Sequence, residues 1–169
     1  MLASLVEGLA PEHHKHRYVF IAFSGEEEGL LGSEFYVKQL APADLHAIVA
    51  MVNLECLGLN PTEVWYTHSD RTLVGVLAQT TAGLHLPLIA VNVDHVGTDD
   101  SDSFKRRKIP NITLHSLTQE TWKILHSRDD TIDKVNTSYY YDSYRLVAAY
   151  LAVLDTALPM PEGPAASTK

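Results

Sequence analysis

Apolar residues along the chain fall into short runs and helix-spaced stripes, separated by polar turns. Leu2, Leu5, Val6 and Leu9 recur at helical spacing and predict an amphipathic helix over residues 1–10. Residues 18–23, Tyr-Val-Phe-Ile-Ala-Phe, form a short β-branched and aromatic run that predicts a buried strand. A helix is expected from about Gly29 through Leu40, with Pro42 ending it or opening the next turn. Residues 45–54, 63–67 and 88–93 predict three further strands. Between the last two, Ser69 or Asp70 can cap a helix carrying Leu73, Val74, Val76 and Leu77, which should end near Gly83. Residues 111–115 read as the last core strand. Asn136, Thr137 or Ser138 then opens a helix with Tyr140, Tyr144, Val147, Leu151 and Leu154 along one face.

A chain of 169 residues is one domain by length and can bury roughly 70% of its unfolded surface. That domain is expected over residues 1–158, and the Pro-, Ala- and Ser-rich residues 159–169 read as a disordered tail. A formal charge of −8 argues against a nucleic-acid partner. Cys56 is the one cysteine, so no internal disulfide framework exists. No apolar run is long enough to span a membrane, and residues 1–10 lack the basic leader of a signal peptide. Nine histidines in a small domain raise the question of a metal. His13, His14 and His16 sit in a polar stretch that reads as a solvated loop, and His115 reads as a satisfied strand-end histidine.

The chemistry concentrates in residues 24–33, Ser-Gly-Glu-Glu-Glu-Gly-Leu-Leu-Gly-Ser. Carboxylates in a row beside a core are costly unless compensated, and a metal ion is one compensation. Another is the first turn of a helix, where negative charge suits the dipole. Both readings follow from this stretch alone.

Gly-Glu-Glu-x-Gly-Leu-x-Gly-Ser after an apolar strand resembles the signature of the co-catalytic zinc aminopeptidases of the bacterial leucyl aminopeptidase type. Glutaminyl cyclases share that fold. Three later segments follow in the family's order. Residues 53–55, Asn-Leu-Glu, stand where the family has Asn-x-Asp. Residues 99–104, Asp-Asp-Ser-Asp-Ser-Phe, precede Ile109 and Pro110 as in the family's Asp-rich segment. Residues 126–131, His-Ser-Arg-Asp-Asp-Thr, resemble its His-x-x-x-Asp-Thr.

The resemblance implies an α/β fold with a largely parallel central sheet flanked by helices. It implies Glu26 as general base, with Glu27 and His126 ligating one zinc and Glu55 replacing an aspartate ligand of a second. Asp100 would stand behind the metal ligands or meet the substrate amine, and Asp130 would fix the tautomer of His126. Apart from the resemblance, Trp122 reads either as lining a side-chain pocket or as a partly packed surface residue. The implied reaction removes the amino-terminal residue of a peptide. The family's other ligands, a His and a bridging Asp, belong to a segment before the first helix. The chain therefore reads as the carboxyl-terminal portion of such a domain, with one zinc or none. Its open sheet edge would be covered by a missing amino-terminal segment or in a homo-oligomer. Two alternatives share the scaffold: a non-catalytic binding module, and a glutaminyl cyclase using a single zinc.

Overall fold

The computed structural model describes residues 1–93 and 97–161. The middle of the acidic loop, 94–96, and most of the predicted tail, 162–169, lie outside the described residues.

Strand β4 (Asn111–His115) organises the sheet. All five of its residues are buried, as a strand covered on both faces requires. On one side it pairs in parallel with β1 (Met51–Leu54), and on the other antiparallel with β2 (Glu63–Trp65). Strand β3 (Ile89–Val91) runs parallel to β2, giving the order β1-β4-β2-β3. The sheet is thus mixed and mostly parallel, in an α/β fold.

Helices cover both faces. Helices α1 (Leu2–Leu9), α4 (Arg71–Leu84) and α6 (Thr137–Ala157) enclose the larger core with Val64, Ile112 and Leu114. Tyr150 is fully buried there, and its hydroxyl donates to the Leu73 carbonyl at 2.8 Å. Helices α2 (Leu31–Gln39) and α5 (Ser101–Lys105) pack a smaller core of Val37, Phe104 and Ile109. Two helix starts follow from single side chains: Asp70 accepts from the Thr72 and Leu73 amides, and Asn136 from those of Ser138 and Tyr139.

Several predicted boundaries differ from the structure. Residues 18–23 form no strand and pair with none among the described residues, and Val19 is 57% exposed. Residues 45–47 belong to helix α3 (Pro42–Ala47), because Pro42 at its first turn is pre-set for a helix. Residues 66–68 form a 3-10 turn, in which His68 stacks on Trp65 at 4.4 Å and pairs with Asp102 at 2.8 Å. Helix α4 runs to Leu84, and His85, not a glycine, closes it in the left-handed conformation.

The histidine-rich stretch is tied down and not simply solvated. The Lys15 and His16 amides each donate to the Asp155 carboxylate at 2.8 Å, and the His16 ring stands 3.4 Å from it. The Lys15 ammonium reaches the Leu158 carbonyl at 2.6 Å, and the His16 ring meets the Pro159 carbonyl at 3.1 Å. Burial acts to raise the pKa of Asp155, but the two amides and His16 outweigh it and hold the carboxyl below its ordinary value. A depressed folded-state pKa contributes stability above the unfolded value of about 3.9, lost as pH falls through the folded one. Asp155→Ala is therefore expected to destabilise by about 2 kcal/mol at neutral pH. Urea denaturation should show this difference shrinking below about pH 4, as the native carboxylate takes up its proton.

Candidate functional site

The loop between residues 18–23 and α2 is held by backbone bonds that fold it back on the helix start. Leu31 and Gly32 donate to the Gly25 and Ser24 carbonyls at 3.0 and 2.9 Å, and Gly29 and Leu30 donate to the Glu26 carbonyl. Gly25 sits at φ 68°, where only glycine is unstrained. Gly32 permits the close approach: a Cβ there would lie 2.6 Å from the Ser24 carbonyl oxygen. This folding holds Glu26 and Glu27 at the end of the loop.

Glu27 and His126, distant in the chain, converge. Glu27 Oε1 and His126 Nε2 are 3.1 Å apart, and both side chains are more than half exposed. His126 holds a left-handed backbone, φ 59°, in the loop that presents it. Glu26 lies deeper. Burial, then the charges of Glu27 and Asp100, push its pKa up to about 7.

Glu55 follows β1, its amide donating to the Leu114 carbonyl of β4 at 2.9 Å. Burial pushes its pKa up to about 7; a 3.1 Å hydrogen bond from Asn53 opposes this, and the charges of Asp99, Glu26 and Asp100 add to it. Glu55 therefore faces the acidic cluster. Asp100 starts α5, is buried, and leaves Oδ1 without a partner. Burial raises its pKa, with the Ser33 hydroxyl opposing.

Trp122 is 42% exposed on a 3-10 turn and does not line the large cleft that Glu26 and Glu55 line. Asp130 is exposed and acts on Cys56, whose thiol is pushed up to about 12 by burial first and by Glu55 and Asp130 after it. His115 is buried. Its Nδ1 accepts from the Leu117 amide at 3.2 Å, whereas Nε2 has no partner.

Sequence reasoning passed over Asp99. Its buried carboxylate accepts from the Ser101 amide at 2.9 Å and from Thr113 Oγ1 of β4 at 2.8 Å. It thereby pins the acidic loop to the central strand, leaving Asp100 free to face the cluster. The Asp-Asp-Ser spacing carried part of this signal, since aspartate often bonds the amide two residues on.

Among the described residues, no three His, Cys, Asp or Glu side chains stand together as a metal-holding group. Glu27 and His126 supply a pair. Two ligands on one tetrahedral zinc at about 2.1 Å each lie roughly 3.4 Å apart, close to the separation seen. A catalytic zinc takes three protein ligands, so the pair by itself is an incomplete centre. Burial first, and neighbouring carboxylates after it, raise Glu26 and Glu55 here, and one Asp100 oxygen has no hydrogen-bond partner.

A family model, Peptidase family M28, matches residues 1–151. The chain belongs to this family. Leupeptin-inactivating enzyme 1 of Streptomyces exfoliatus is 25% identical over 174 residues, spanning 92% of this chain and 39% of that protein. An aminopeptidase from Aneurinibacillus sp. strain AM-1 superposes with a TM-score of 0.67 at 23% identity, covering 85% of this chain and 34% of that one. A zinc aminopeptidase from Bacillus subtilis gives a TM-score of 0.69 at 20% identity, covering 85% and 36%. These structural likenesses establish the fold. The chain spans a little over a third of the length of each of these relatives.

The geometry at Gly32 makes a test of how the loop is held. Gly32→Ala should destabilise by about 1–3 kcal/mol, since the methyl group meets backbone that must move. Gly75→Ala in α4, where a Cβ meets nothing within 4 Å, should instead stabilise by about 0.5–1 kcal/mol. Urea unfolding of the two variants measures both signs.

Proposed function

We propose that this chain serves a hydrolase that releases amino-terminal residues from peptides, with Glu27 and His126 holding a zinc ion and Glu26 handling the proton. The observation that carries the proposal is the 3.1 Å approach of Glu27 to His126. Family membership supports peptides as the substrate class. A zinc ion bound by this pair supplies Lewis acidity and an activated water.

The chain's own residues do the rest. Glu26 adjoins the pair, and a carboxyl pushed up to about 7 can both take and give a proton near neutral pH. Glu55 and Asp100 form an acidic wall suited to a cationic amino terminus or to further metal. Trp122 stands exposed, able to meet a substrate side chain. No helix among the described residues is long and apolar enough to cross a membrane.

Among the described residues only two donors converge, which favours a second reading, a non-catalytic module on the same scaffold. Zinc titration together with hydrolysis of amino-acid anilides separates the two from each other and from failure of the site. Glu27→Ala and His126→Ala should each weaken zinc binding by at least about tenfold. Glu26→Gln should leave zinc affinity intact and cut hydrolysis of amino-acid anilides by about 10²–10⁴-fold. A folded chain that binds no zinc and shows no turnover would leave the module reading standing. Zinc affinity indifferent to both ligand variants would remove the metal assignment.

A further inference from the structure

Away from the acidic cluster, Lys105 at the end of α5 meets a base. Its ammonium lies 2.9 Å from Nδ1 of His68. An ammonium can only donate, so Nδ1 accepts and the ring proton sits on Nε2. Nε2 lies 2.8 Å from Asp102 Oδ1 but off the line of a straight hydrogen bond, so that contact is chiefly electrostatic. The His68 ring stacks on Trp65, with centroids 4.4 Å and planes 26° apart, which fixes its orientation. The His68 and Asp102 side chains are largely covered, whereas Lys105 is exposed.

Three elements build this arrangement. Strand β2 presents Trp65, the 3-10 turn after it presents His68, and α5 presents Asp102 and Lys105 three residues apart on one face. Arg106 pairs with Glu34 of α2 and stands 3.8 Å from Asp102, which steadies α5 from its other side. Lys15, Lys38 and Lys134 meet oxygens instead: the Leu158 carbonyl, Glu34 and Asp133. Among the described residues, Lys105 is the lysine whose ammonium meets a nitrogen base. Imidazole is a stronger base than a carboxylate or a carbonyl, and it can take the proton. Lys105, Arg106, Arg107 and Lys108 are also consecutive and exposed. On a chain of net charge −8 they concentrate positive charge locally, which attracts small anions.

We propose that Lys105 is a modification site, an amine that His68 deprotonates for acylation by a small acyl phosphate. The Lys105 proton passes to His68 Nδ1, and the Asp102 carboxylate offsets the charge of the imidazolium that forms. The freed amine attacks the acyl carbon. The C–N bond forms, and the bond from that carbon to the phosphate oxygen breaks. Of the ammonium's protons, one stays on the amide, one leaves with the phosphate and one reaches solvent through His68. Arg107 and Lys108 supply the attraction for the phosphate. None of these residues belongs to the proposed metal pair, so the inference stands or falls separately from the hydrolysis.

The test treats the full chain with acetyl phosphate at about pH 8, where histidine is neutral, and reads acetylation of each lysine by mass spectrometry. Lys108 shares the basic run and Lys123 is exposed elsewhere, so these two serve as internal standards. Lys105 should acetylate at least about tenfold faster than either. His68→Gln should remove that excess and leave the rates at Lys108 and Lys123 unchanged. Asp102→Asn should lower the excess without abolishing it. In the unaltered chain, lowering the pH to about 5, which protonates histidine, should erase the excess relative to the two standards. In urea all three lysines should react alike.

Equal rates at Lys105, Lys108 and Lys123 in the folded chain would overturn the proposal. An excess at Lys105 that survives in His68→Gln, at about pH 5 or in urea would do so too, since the imidazole would then play no part.

Discussion

Carboxylates from three separate segments crowd the ends of two extended stretches, and little on the chain balances them. Glu26 and Glu27 come from the loop before α2, Glu55 from the end of β1, and Asp99 and Asp100 from the start of α5. Only Asp99 is fully engaged by neutral donors. Glu27 meets His126, while burial and like charge favour the protonated form of Glu26 and Glu55, opposed on Glu55 by the hydrogen bond from Asn53. A carboxyl whose folded pKa is raised makes the folded state bind more protons than the unfolded one. Stability is then given up as pH rises from the ordinary carboxylate range toward 7. A bound cation reverses this by favouring the ionised form, so the same crowding that strains the fold creates affinity for positive charge.

The scaffold holds the acids in place with backbone bonds and close approaches more than with side-chain pairs. The Gly32 approach to Ser24 fixes the first loop, and Asp99 ties the third to Thr113 of β4. Leu30 and Cys56 beside the acids, and His126 itself, hold left-handed backbone without being glycine, as do His85 and Lys108 elsewhere. Such conformations persist where the surroundings over-determine them, and they commonly mark sites. The central strand supplies that determination, because β4 is buried throughout and carries β1 and β2 on either side.

What the sequence disclosed tracks how local each determinant is. Helices α1, α4 and α6 were legible because periodicity and the Asp70 and Asn136 caps act within a few residues. Strand β4 was legible from five consecutive residues. Residues 18–23 have strand composition, but pairing depends on a neighbour that composition does not contain. Pro42 redirected residues 45–47 into α3 despite their apolar character. At the site, the Glu27–His126 approach was foreshadowed by a motif resemblance; spacing alone would not have found it. Asp99 escaped notice because its second partner, Thr113, lies on another element. The His14–His16 stretch looked solvated because Asp155 is near the other end of the chain.

Glu26 and Glu55 line one cleft, so any occupant changes the surroundings of both. An apolar group there would displace water from the carboxyls and push their pKa values further up. A positive charge would lower them instead, and by linkage its binding would tighten as pH rises through the range in which the two carboxyls ionise.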